Sequence, residues 1–148
     1  MRAWRLARRA HSALDGEGAR RAGGRWNSPG LPLVYASSHL SLAALELLVH
    51  LDPDEVPADL AAFLIDIPDT VAVERIEPAA LPPRWRVEEE NCRRAGDAWL
   101  RARRTAVLIV PSALIPEELN TLLNPTHADA GRVRVVSSRP FTFDPRLF

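Results

Sequence analysis

Apolar residues in this chain fall into short runs divided by glycine, proline and charge. Trp4 and Leu6 alternate with Arg5, the period of a strand with one buried face. Leu14 to Gly24 is rich in Gly and Arg and reads as a loop. Leu33-Val34-Tyr35-Ala36 is a short apolar strand that follows the Ser28-Pro29-Gly30 turn. The run LSLAALELLVHL, starting at Leu40, is the clearest helix. Ser37 and Ser38 are expected to accept bonds from its free N–H groups, and Asp52-Pro53 stops it. Ala61 to Ile67 and Val71 to Ile76 read as further strands. A second helix runs roughly from Glu88 to Arg103, broken or restarted at Gly96-Asp97, where Asp97 would cap AWLRARR. Ala106 to Val110 is a buried strand, and Arg132 to Val136 alternates as a half-buried strand should.

The pattern predicts an α+β fold in one continuous domain spanning residues 1–148. The Pro-rich joint at Pro78 to Pro83 is a loop, and no internal repeat is present. Strands are not separated by regular crossover helices, which argues against a doubly wound nucleotide fold. The phosphate-loop sequences GxGxxG and GxxxxGK[ST] are both missing.

Composition narrows the class. Of 148 residues, 47% are apolar and 26% charged, ordinary for a globular protein. Nowhere do apolar residues run long enough to span a bilayer, and MRAWRLARRAH lacks the apolar core of a signal peptide. A soluble, cytoplasmic protein without membrane contact is the expectation. Cys92 is the one cysteine, so no internal disulfide forms; it sits between Glu88-Glu89-Glu90 and Arg93-Arg94 in what reads as an exposed helix, a poor setting for a nucleophile. His11, His39, His50 and His127 lack metal-ligand spacing, so no metal is expected. All 19 basic residues are arginine, against 19 acidic ones. An arginine therefore means less here than usual. The first 25 residues still carry seven arginines against Asp15 and Glu17, a local charge of +5 that suits phosphate or an acidic partner.

A few residues stand out against that background. Glu46 interrupts an otherwise apolar helix, and a carboxylate without an obvious solvent face needs a partner, a rim position or a ligand. Arg25 lies in the Gly-framed stretch GGRWNSPG rather than in an arginine-rich helix. It is either a solvated turn residue or a fork for phosphate oxygens. Trp26 reads as core and Asn27 as a turn clamp. Tyr35, the only tyrosine, needs a partner for its hydroxyl if buried. Ser112 follows the strand AVLIVP without a GxSxG elbow, which favours a polar positioning role over that of a hydrolase nucleophile. Asn124, in LLNPTH, either caps the turn before Pro125 or serves a site.

The strings GEGARRAGGRWNSPGLPLVYAS, LAALELLVHL, GDAWL, VPS, LNPTH and FDPRLF, in this order, resemble the RES domain family, named for an arginine, a glutamate and a serine. The resemblance covers essentially the whole chain. It implies a fold similar to ADP-ribosyltransferases, with a mixed β-sheet core and flanking helices. It also implies a toxin of a bacterial toxin–antitoxin pair, held by an Xre-like helix-turn-helix antitoxin and consuming NAD+ as substrate, with no separate cofactor. By motif, the family arginine falls on Arg25, the tyrosine on Tyr35, the glutamate on Glu46 and the serine on Ser112. Asn124, and less directly Arg5, match positions that complete the nucleotide pocket. Ala128 departs from the family by replacing a proline, a matter of loop stiffness. The resemblance implies cleavage of the nicotinamide–ribose bond, by a glycohydrolase or phosphorylase, or else ADP-ribosyl transfer to a protein. Glu46 would hold a ribose hydroxyl and stabilise the ribosyl cation, Arg25 would bind pyrophosphate, Tyr35 and Ser112 would orient the nicotinamide and its ribose, and Asn124 would add a hydrogen bond, with an antitoxin covering the arginine-rich end. An RNA-cleaving toxin is disfavoured by zero net charge and the lack of a His pair, and a catalytically silent module by retention of all three name-giving residues.

Overall fold

The computed structural model describes all 148 residues. Seven strands form one sheet: β1 (Arg2–Arg8), β2 (Val34–Ser37), β3 (Leu60–Asp66), β4 (Val73–Arg75), β5 (Val107–Pro111), β6 (Leu119–Leu123) and β7 (Arg134–Pro140). Their spatial order is β4-β5-β6-β2-β1-β3-β7, and every neighbouring pair is antiparallel except β4 with β5. Three helices accompany them, α1 (Glu17–Ala22), α2 (Leu40–Leu48) and α3 (Glu89–Ala102). The α+β class with a mixed sheet and flanking helices is therefore as expected.

Strand alternation sorts the core by face. Ala3, Val34, Ala36, Ile65, Val107, Ile109 and Leu123 share one face, closed by loop residues such as Val71 and Val133. The opposite face carries two separate clusters. Leu108, Val110 and Leu122 pack against Trp26, Trp85 and the α3 residues Cys92, Trp99 and Leu100. Leu6, Leu60 and Ala62 pack against Ala43 of α2 and Phe143. Both longer helices thus lie on one face of the sheet, α3 over β5 and β6, α2 over β1 and β3. Strand β2 runs between them.

Several local expectations are corrected. Residues 17–22 are helical; α1 is only six residues long, with Gly at each flank and no apolar stripe to announce it. Neither serine caps α2: its N-cap is His39 with no side-chain cap bond, and α2 ends at Leu48, before Asp52-Pro53. The second helix is continuous through Gly96-Asp97. Gly96 is there because a Cβ would lie 1.8 Å from the carbonyl oxygen of Trp26. Asp97 caps nothing; it accepts from the backbone N–H of Ser28 at 2.8 Å and from the Ser28 hydroxyl. Cys92 is fully buried rather than exposed. Of Arg132 to Val136 only Val133 is buried; it precedes β7, which starts at Arg134 and is a solvent-exposed edge along its whole length. Residues 119–123, LNTLL, form a strand that their short apolar pattern did not announce.

Candidate active site

The seam between the two apolar clusters is polar. Ser37 pairs with Asn120 across β2 and β6, and Tyr35 with Leu122, so Tyr35, Ser37 and Asn120 all point to the face that carries the helices. From α2, Glu46 reaches into this seam. Its Oε1 accepts from the Ser112 hydroxyl at 2.7 Å and from Asn120 Nδ2 at 2.7 Å. Asn120 Oδ1 in turn accepts from the Ser37 hydroxyl at 2.7 Å. Glu46 is half-buried, and the only buried side-chain polar atom without a partner is Thr121 Oγ1. Glu46 Oε2 therefore has no hydrogen-bond partner within the chain and stays reachable from solvent.

Ser112 is fully buried and held from several sides. The β5–β6 hairpin closes over it through its N–H to the Glu118 carbonyl at 2.9 Å. Its hydroxyl oxygen accepts from the N–H groups of Leu114 and Ile115 at 3.1 and 3.2 Å, leaving its proton for Glu46. Arg86 clamps the same loop by donating to the Ala113 carbonyl at 2.9 Å.

Tyr35 lies one step along the same face. Its hydroxyl donates to Asn27 Oδ1 at 2.7 Å and accepts from the Trp26 N–H at 2.9 Å. Asn27 Nδ2 donates to the carbonyls of Ala19 and Leu31, which makes this residue the turn clamp expected of it. Trp26 is core, 2% exposed. Gly24 has no room for a side chain, because a Cβ would stand 2.5 Å from the Tyr35 hydroxyl oxygen. Burial pushes the Tyr35 hydroxyl well above its ordinary pKa, opposed by the Trp26 N–H, so the phenol is a hydrogen-bonding group rather than a base.

Arg25 emerges from this frame, three-quarters buried, with Nη1 donating to the Trp85 carbonyl at 3.1 Å and Nη2 3.6 Å from Glu89 Oε1. Glu89 is shared with Arg93, which also donates to the Gly24 carbonyl. The structure thus brings Glu46 and Ser112 into contact, and links Arg25 to Tyr35 through the Trp26 backbone. Two expected residues stand apart. Arg5 alternates with Trp4 and Leu6 and so lies on the other face of the sheet, where it donates to the His11 carbonyl; burial lowers its pKa, offset by Asp15. Asn124 lies beyond the opposite end of β6 from Asn120. Its Oδ1 accepts from the Thr126 N–H and hydroxyl, which is the turn-capping role, and it borders an open concavity of about 540 Å³ with Arg101 and Arg103.

Sequence reasoning missed Asn120 and Ser37, whose importance depends on the β2–β6 register. Part of the positive charge at the N-terminal end is offset by acids from elsewhere in the chain: Arg2, Arg8 and Arg25 face Asp66, Asp59 and Glu89 respectively. No three His, Cys, Asp or Glu side chains converge as a metal site would need.

A family model, the RES domain, matches residues 2–144. The chain belongs to the RES domain family. Among its RES relatives, a protein of Sphingobium sp. (strain YBL2) named Prs ADP-ribosylating toxin is 39% identical over 152 residues, covering 97% of this chain and 94% of that protein. A protein of Pseudomonas putida named Toxin Res is 38% identical, covering 98% of each. In three dimensions the RES chain superposes on a chain of the M. tuberculosis MbcT–MbcA toxin–antitoxin complex with a TM-score of 0.77, covering 95% of this chain and 84% of that one. At 23% identity that likeness speaks for the fold alone.

Proposed function

We propose that this chain is the toxin of a bacterial toxin–antitoxin pair and acts by cleaving the bond between nicotinamide and ribose in NAD+. The observation that carries the reading is Glu46: one carboxylate oxygen is fixed by Ser112 and Asn120, and the other has no partner within the chain. Breaking the C–N glycosidic bond sends its electron pair onto neutral nicotinamide and leaves positive charge on the ribose, as in glycoside cleavage. A fixed carboxylate oxygen that accepts from a ribose hydroxyl stabilises that cation without reorganising. Water then adds at the ribose carbon and loses a proton, giving ADP-ribose; phosphate in its place gives the phosphorylated product. In this reading Arg25 exchanges its long contact with Glu89 for pyrophosphate oxygens. Tyr35 holds the turn that presents Arg25, and Ser112 holds Glu46. Arg5 lies on the other face of the sheet and Asn124 beyond the far end of β6, and neither carries a step in this reading.

Support for a toxin comes from relatives so named at 37–39% identity. The neighbouring fold from a toxin–antitoxin complex supports an antitoxin partner, here expected to be of the Xre-like type and to act in the cytoplasm. No helix of this chain is long and apolar enough to cross a membrane. A second reading, ADP-ribosyl transfer to a protein, is favoured by the name of the Sphingobium relative. The two share their first step and differ in the acceptor.

Incubating the purified chain with NAD+, with and without phosphate, and with labelled NAD+ plus cell extract separates these outcomes. Nicotinamide with free ADP-ribose marks a glycohydrolase, a phosphate-dependent product a phosphorylase, and label on a protein band a transferase. Glu46→Gln is expected to lower turnover by roughly 10²–10³-fold while NAD+ still shifts the melting temperature. Near-normal NAD+ consumption by that variant would sink the assignment.

A further inference from the structure

We propose that Asn120 is a positioning residue for Glu46, with Ser37 as the group that orients it; this rests on the NAD+-cleaving reading above. A glutamate on a helix has three rotatable side-chain bonds, and one hydrogen bond from Ser112 leaves its carboxylate free to pivot about that contact. A second donor from a different strand removes the pivot. Asn120 Nδ2 and the Ser112 hydroxyl both meet Oε1 at 2.7 Å, one from within β6 and the other from the end of β5. Both donors spend themselves on the same oxygen, so Oε2 is fixed in direction and left unpaired for the substrate.

Chemistry also sets the amide's orientation. An ionised carboxylate only accepts, so the Asn120 atom that faces it has to be the NH2 group, and the amide oxygen faces Ser37. Ser37, 2% exposed and directly opposite Asn120 in the register, donates to that oxygen at 2.7 Å. A flipped amide would set its oxygen against the Glu46 carboxylate, which both the repulsion and the lost Ser37 bond oppose. The chain Ser37, Asn120, Glu46 therefore transmits the rigidity of the β2–β6 ladder to a side chain that comes from a helix.

The test uses NAD+ turnover by the full chain. Asn120→Ala is expected to lower kcat by roughly tenfold to a hundredfold with little change in KM. Asn120→Asp, the same size but with an acceptor facing Glu46, falls further, and Ser37→Ala falls less than either. Far-ultraviolet circular dichroism and melting temperature check that each variant folds. Asn120 acts through Glu46 in this proposal, so adding Asn120→Ala to Glu46→Gln should cost little more than Glu46→Gln alone. Equal fractional losses in both backgrounds, or Asn120→Ala and Asn120→Asp turning over like wild type, overturn the inference. A wild-type chain that leaves NAD+ intact overturns the functional reading itself, a distinguishable result.

Discussion

At the scale of the single residue, environment decides what each group can do. Tyr35 is the only tyrosine in the chain, and burial raises its hydroxyl's pKa above the usual 10.0. The native state then keeps a proton that the unfolded state releases as pH rises past that value. The contribution to stability is intact below the ordinary pKa and declines as pH climbs from there toward the raised native value. Near-ultraviolet absorbance, followed upward in pH, is expected to show no tyrosinate until the protein unfolds; ionisation at the ordinary value would contradict the buried hydroxyl. Cys92 follows the same logic, since burial raises its thiol's pKa while Arg25 opposes the shift. An aromatic disulfide reagent should leave it unmodified in the native protein and label it fully in denaturant. Ser112→Ala should destabilise and, on the proposed reading, inactivate: the partly exposed N–H groups of Leu114 and Ile115 lose their acceptor, at about 1 kcal/mol, and Glu46 loses a donor.

At the scale of elements, helix α3 and the GGRWN turn depend on each other at Gly96. Gly96→Ala would push a methyl into the Trp26 backbone, and neither the helix nor the turn can yield cheaply. A loss of about 3 kcal/mol is expected, read as a lower urea midpoint, and on the proposed reading NAD+ binding weakens as Arg25 is displaced. The same glycine shows why local sequence signals misled. In a helical pattern it reads as a breaker, and only the tertiary approach of Trp26 explains it. Runs such as AVLIV and AAFLIDI were legible because they are buried by their own apolar residues. Helix α1 was not, because six Gly- and Arg-rich residues carry no period. Strand β6 was hidden because LNTLL is short and alternates weakly. Glu46 and Ser112 stood out as polar interruptions or strand-end residues. Asn120 matters only through its pairing with Ser37, which no spacing within β6 could announce.

At the scale of the whole molecule, the ion pairs are mostly exposed, Arg8 with Asp59 and Arg104 with Glu74 among them. Exposed pairs of this kind add little to stability, so added salt should move the melting temperature little, a result that calorimetry can check. Stability instead resides in the apolar clusters on the two faces of the sheet, with the polar seam where two of them meet. That seam has a consequence for timing during synthesis. Glu46 leaves the ribosome 66 residues ahead of Ser112 and 74 ahead of Asn120. A nascent or truncated chain that stops short of the β5–β6 hairpin holds the carboxylate without either group that aims it. On the proposed reading, the cell thus makes most of the protein before its carboxylate is aimed, which would give a partner already present an interval in which to meet the chain.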